Sequence, residues 1–227
     1  MKKIVALVLI LVFAFAAVSC NDGDGVGATS EKILAMYNRK APTKSVTVAT
    51  YKFAETTLTD TTILVTGKID GTKAAAELTE ITQRLRTVED GSNAEIVGPI
   101  VTTETVKEFY EGFGVRSKVD GGAWSAWDES AANFAANKSI ALNLNDSKLD
   151  NINEDGNKVT FTVAAANTES VFGKAVSAPI SVTITHDGAC VVGVVLEYVE
   201  AATADTPEMT IKIEVEYTYD IETITIG

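Results

Sequence analysis

The sequence predicts a mostly β fold of the α+β type: one large, strongly curved antiparallel sheet with two or three helices. Three observations predict it. Met209–Tyr219 (MTIKIEVEYTY) alternates apolar and polar residues throughout, the period-two pattern of a long strand with one wet face. Asp-Gly pairs at 70–71, 120–121, 155–156 and 187–188 separate runs rich in β-branched residues, where hairpins turn. Cys190–Leu196 (CVVGVVL) is apolar on both faces. Such a strand is covered on both sides, by a helix on one and by a ligand on the other.

Ser30–Arg39 (SEKILAMYNR) reads as an amphipathic helix. Thr29 or Ser30 can cap it, Ile33 and Tyr37 share a face at the i, i+4 spacing, and Pro42 closes it. Val46–Phe53 and Thr61–Ile69 read as strands, the second leading into the Asp70-Gly71 turn. Lys73–Leu85 is open between two readings: its alanines favour helix, and the preceding Asp-Gly favours a hairpin partner. Residues 87–104, with Pro99, look irregular. Val106–Tyr110, Phe113–Val119 and Ala123–Trp127 read as strands joined by Glu111-Gly112 and Asp120-Gly121-Gly122. Ser130–Leu142 reads as a helix, Lys158–Ala165 as a strand after the turn NEDGN, and Thr168–Phe172 as a short helix. Pro179–Thr185 alternates, His186-Asp187-Gly188 turns the chain, and Cys190–Val199 and Met209–Tyr219 complete the set.

The N-terminus carries different chemistry. Lys2 and Lys3 precede an apolar run, Ile4–Val18, that is shorter than the roughly 20 residues a membrane-spanning helix needs. This is the pattern of a secretory signal. Ala17-Val18-Ser19-Cys20 then resembles the lipobox of bacterial lipoproteins, with Ala17 where that family usually has Leu. The resemblance implies that residues 1–19 are a signal peptide and that Cys20 is lipidated and becomes the new N-terminus. The plainer alternatives are an ordinary cleaved signal with an incidental cysteine, or an uncleaved anchor. Residues 21–28 (NDGDGVGA) are Gly-rich and polar, a flexible tether whose eight residues reach on the order of 25 Å when extended. Residues 20–28 are therefore read as lipidated cysteine plus tether, and 29–227 as a single domain.

Composition narrows the partners. The 227-residue chain carries a net charge of −12, more negative still once Lys2 and Lys3 leave with the signal. Such acidity argues against nucleic acid and against adsorption to an anionic membrane surface. Cys20 and Cys190 are the two cysteines. With Cys20 acylated, Cys190 has no intramolecular partner, and its apolar surroundings mark it as a small buried hydrophobe.

The reading excludes most catalytic classes. His186 is the sole histidine and falls at a turn, so it reads as a solvated turn residue and no two-histidine metal site is available. The chain has no G-x-S-x-G or S-x-x-K, phosphate loop or dinucleotide fingerprint. Asn151–Gly156 (NINEDG) begins like a calcium loop, but its first position is Asn and its twelfth is Thr162. Two lost carboxylates remove most of the charge that binds calcium, and a hairpin turn is the better account. No cofactor and no metal is expected.

The order of features resembles the LolA/LppX-type carriers of lipids and lipoproteins. It runs from lipobox and tether through an N-terminal helix and strand pairs to "FYEGFGVRSKVDGGAWSAW", then to "ITHDGACVVGVVLEY" and the closing "VEYTYDIETITI". The resemblance implies a half-open barrel with the helices on its concave face and an apolar cavity for acyl chains between them. It implies a non-enzymatic, extracytoplasmic lipoprotein that holds a lipid or acylated ligand and is moored to the lipid bilayer through Cys20. Candidate cavity residues are Trp124, Trp127, Val192, Val194 and Leu196. For the tryptophans, packing in the core or clamping a helix to the sheet is the simpler role. The alternative function is a structural or interaction lipoprotein of the cell envelope whose interior is filled by its own side chains.

Overall fold

A computed structural model describes residues 29–69, 72–85, 88–90, 93–95, 100–134, 140, 142–203, 207–219 and 224. The signal, Cys20, the tether and Asp70-Gly71 lie outside the described residues. The fold is mostly β. Ten strands form one antiparallel sheet in the order β7-β6-β3-β2-β1-β12-β11-β10-β9-β8. They are β1 Lys44–Phe53, β2 Thr56–Ile69, β3 Lys73–Leu85, β6 Ile100–Tyr110, β7 Gly114–Val119, β8 Leu149–Asp155, β9 Lys158–Val163, β10 Ile180–His186, β11 Val191–Glu200 and β12 Met209–Thr218. A separate small hairpin pairs β4 Val88–Asp90 with β5 Asn93–Glu95. Among the described residues two short α-helices are present, α1 Thr29–Tyr37 and α2 Thr168–Phe172. The chain divides into two compact units: residues up to 41 with 136–212, and 42–135 with 213–227.

In the first unit, β8–β11 pair antiparallel in chain order, with α2 in the connection between β9 and β10. Ile180, Val182 and Ile184 of β10 and Val159, Phe161 and Val163 of β9 are all buried, every second residue, as a sheet with one wet face requires. Ile33 and Met36 of α1 and Val171 and Phe172 of α2 are buried in the same unit. Thr168 is fully buried, and its hydroxyl accepts from the Val176 amide at 2.9 Å, which satisfies both groups.

The start of α1 departs from the capping expectation. Asp146, on a 3-10 turn, takes the Ser30 amide at 2.9 Å and so serves one of the donors that a helix N-terminus leaves open. Thr29 instead donates to Glu154 at 2.8 Å, and Lys32 reaches the same carboxylate at 3.0 Å. These two hydrogen bonds, with the charge of Lys32, hold the Glu154 carboxyl below the usual glutamate value. A group depressed on folding contributes stability above its unfolded pKa and loses it as pH falls through the folded one. Acidification into that range is expected to lower the protection of the α1 amides, measured as the exchange rate relative to the intrinsic rate at each pH. Glu154→Gln should show the lower protection already at neutral pH and lose the dependence. Equal pH profiles for the two proteins would refute this anchoring.

Of the two readings open for Lys73–Leu85, the hairpin partner is the one observed: it is strand, paired to β2 from Thr61↔Ile81 to Ile69↔Lys73, and cross-strand pairing overrides the alanines' helix propensity. Several other sequence expectations are corrected. Ile100–Glu104 is not irregular but opens β6. Ala123–Trp127 is no strand; this stretch ends in the single bridge Val115↔Asp128. Residues 130–134, 140 and 142 carry no α-helix, and 135–139 and 141 lie outside the described residues. NINED is strand β8 rather than turn. His186 is 8% exposed at the end of β10, and its Nδ1 accepts the Gly188 amide at 3.2 Å. It is a buried strand residue because β10 continues one position beyond the alternation that marked it. Cys190 is buried as expected.

The second unit differs in its packing. Strands β7-β6-β3-β2-β1 are long and paired in continuous register. Most side chains of β1, β2, β3 and β6 are half-buried on both faces, with Leu64, Ala75, Ala76 and Leu78 among the few buried apolar residues. No α-helix occurs among its described residues.

Candidate functional site

The β6–β7 hairpin organises the chemistry of the second unit. Tyr110 pairs with Gly114, so Glu111, Gly112 and Phe113 form a three-residue loop. Phe113 stacks on Tyr110 at 4.9 Å with the rings nearly parallel. After β7 the chain reverses at Asp120 and Gly121, both in the left-handed region, where Gly122 donates to the Val119 carbonyl at 2.9 Å. It then returns along β7 as a strap. Ser125 donates to the Ser117 carbonyl at 2.8 Å, and its hydroxyl accepts the Ser117 amide at 3.0 Å. Asp128 and Val115 exchange backbone hydrogen bonds at 2.8 and 3.1 Å. The strap occupies the polar groups that this edge of β7 would otherwise offer to another strand.

One residue admits the strap. Gly114 has φ +85°, and a Cβ there would lie 1.9 Å from the Asp128 carbonyl oxygen. Asp128 in turn accepts from the Ser130 hydroxyl and amide, which hold its carboxyl below the usual aspartate range.

The strap carries Trp124 and Trp127, both half-buried. The Arg116 guanidinium lies 4.4 Å from the Trp124 ring centre and 4.7 Å from that of Trp127. Lys118 stands over Trp124 at 4.6 Å, Phe113 approaches Trp127 at 6.0 Å, and Lys73 stands over Tyr110 at 5.2 Å. Four cation–π contacts and two ring–ring contacts therefore run along one edge, the former within cation–π range. Arg116 also holds the carboxylate of its cross-strand partner Glu108, at 2.6 Å from Nη2 and 2.8 Å from Nε. Glu108 is 2% exposed, so this ion pair is desolvated, and each charge depends on the other.

Val192, Val194 and Leu196 lie on β11 in the first unit, whereas Trp124 and Trp127 belong to the second. Val194 and Leu196 are buried and Val192 is half-buried. A bulge explains the difference: Thr185 pairs with Gly193 and His186 with Val191. Val192 is the extra residue, out of step with the alternation that places Val194 and Leu196 in the core. Sequence reasoning singled out the tryptophans and did not name Gly114, Arg116, Glu108 or Lys118. The signal was present in the period-two placement of Glu108, Arg116 and Lys118, but it depends on the loop length.

Among the described residues, no group of His, Cys, Asp and Glu could hold a metal ion, and no helix is long and apolar enough to cross a membrane. No family model and no curated protein sequence matches the chain. Among solved structures the chain is similar to the crystal structure of LprF from Mycobacterium bovis. That match has 15% identity, covers 87% of this chain and 95% of that chain, and has a TM-score of 0.36.

Proposed function

We propose that this protein is a non-enzymatic lipoprotein of the cell envelope, moored through Cys20, that binds a lipid or other ligand bearing an acyl chain. The observation that carries the reading is the half-buried apolar sheet of the second unit. Val46, Val48, Ile63, Val65, Ile81 and Val106 alternate on one face of β1, β2, β3 and β6. No α-helix among the described residues of that unit covers them. Moving an acyl chain from water onto such a surface contributes about 25 cal/mol per Å² of apolar area removed from water. A few hundred Å² thus supplies several kcal/mol, on the order of 5, before ordering costs. The lipobox-like Ala17–Cys20 and the Gly-rich tether support the anchor.

The test uses the full chain in phosphatidylcholine vesicles containing a fatty acid with a diazirine on its chain. After irradiation and digestion, adducts are expected on peptides of β1, β2 and β3. Adducts absent from the sheet would refute ligand binding. In the same host, Cys20→Ser is expected to leave the membrane fraction. A Cys20→Ser protein that stays there would refute the anchor.

A further inference from the structure

The pairing register of the second unit places five residues in one line across the sheet. Val46 is opposite Ile63, Ile63 opposite Thr79, Thr79 opposite Val106, and Val106 opposite Lys118. Residues directly opposite in an antiparallel sheet share a face, so the five side chains form a single row on the face that carries Arg116. All five are half-buried. Four strand spacings give the row a length of about 19 Å. The rows on either side are more polar: Lys44, Val65, Glu77, Glu108 and Arg116 on one, and Val48, Thr61, Ile81 and Glu104 on the other.

The row ends on a cation that no carboxylate among the described residues neutralises. On β6 and β7, Lys107 is ion-paired with Glu80 and Arg116 with Glu108. Lys118 enters none of the ion pairs among the described residues, and its ammonium stands 4.6 Å from the Trp124 ring centre. The row thus offers apolar side chains along most of its length, one compensating charge at one end, and an indole wall beside that charge.

We propose that Lys118 and Trp124 form the head-group subsite for the ligand, and that the ligand is a long-chain fatty acid in its carboxylate form. Lys118 is the one cation within the row and matches a single negative charge, and one row matches one chain. The carboxylate accepts from the Lys118 ammonium, the first methylenes lie against Trp124, and the chain runs over Val106, Thr79 and Ile63 toward Val46. The inference rests on the proposed function and adds polarity and head-group chemistry to it.

The test compares a fatty acid carrying a terminal diazirine with its methyl ester, on the full chain in phosphatidylcholine vesicles. With the wild type, the acid is expected to label β1 and β2 about tenfold more than the ester at equal concentration, the effect of one charge-assisted hydrogen bond. Lys118→Met, which keeps the stem, should bring that ratio to one. Lys118→Arg, which keeps the charge, should retain the preference and controls for damage to the fold. Equal labelling by acid and ester in the wild type overturns the head-group subsite while leaving acyl binding intact. So does a preference that survives Lys118→Met. A terminal diazirine that marks β6 and β7 instead of β1 and β2 overturns the proposed polarity. Labelling by a phosphatidylcholine diazirine but not by the acid assigns the row to a phospholipid and overturns the fatty acid. Absence of sheet adducts from every probe overturns the proposed function together with this inference.

Discussion

Gly114→Ala is expected to lower the stability of the second unit by about 3 kcal/mol or more and to release the strap. The added methyl would sit 1.9 Å from the Asp128 carbonyl oxygen, 2.6 Å from its carbon and 2.7 Å from the Glu129 Cα. All three are backbone atoms, so no side chain can rotate to make room. Overpacking of this kind costs about 1–3 kcal/mol. An alanine held at φ +85° adds strain of order 1 kcal/mol. Gly112 supplies the control: its φ is +90°, and nothing lies within 4 Å of a Cβ built there. Gly112→Ala should therefore show the strain alone, about 1 kcal/mol. The chain's two tryptophans both sit on the strap, so intrinsic fluorescence during urea unfolding reports this region directly. Coincident urea midpoints for the two alanine variants would contradict the close approach at Gly114.

Arg116→Met is expected to cost about 3–5 kcal/mol, because it takes the guanidinium away from the buried Glu108 carboxylate. Methionine keeps much of the side-chain bulk, so the loss reports the charge rather than a cavity. Two cation–π contacts disappear with it, each about 0.5–2 kcal/mol. The double variant Glu108→Leu/Arg116→Met should recover most of the loss, since an apolar pair of similar volume can replace a buried ion pair at little cost. Tryptophan-detected urea unfolding of the parent, the single variant and the double variant gives the coupling. A double variant no more stable than Arg116→Met would show that the buried carboxylate is not the cause. Lys32–Glu154 is the contrast: its partners are 53% and 40% exposed, where an ion pair contributes about 0–1 kcal/mol.

Much of the fold was legible in local pattern. Met209–Thr218 alternates in burial as it does in sequence, and Thr168–Phe172 is the expected short helix. Both follow from the chain's own period and propensity. Readings stayed open or failed where partners outside the segment decided the outcome. The alanines of β3 are strand because β2 and β6 flank them. Ala123–Trp127 has strand-like composition, but it meets β7 at only a few backbone groups.

The Trp124–Arg116–Glu108 constellation illustrates the limit most sharply. Reading Glu111-Gly112 as the turn gives a two-residue loop, which would set Glu108 opposite Val115. The structure includes Phe113 in the loop, and Glu108 meets Arg116. One residue of register converts a mismatch into an ion pair, because side chains alternate faces with period two. The β11 bulge has the same character: it removes Val192 from a row that regular alternation would have kept whole.

The sequence alone determined the class of fold, the positions of most strands and the two tryptophans, because alternation and turn chemistry are local properties of the chain. Tertiary structure decided which charges meet, which apolar side chains line up, and where Gly114 lets a second segment approach. Those outcomes depend on hairpin register and on contact between segments far apart in sequence, and a shift of one residue reassigns every cross-strand neighbour.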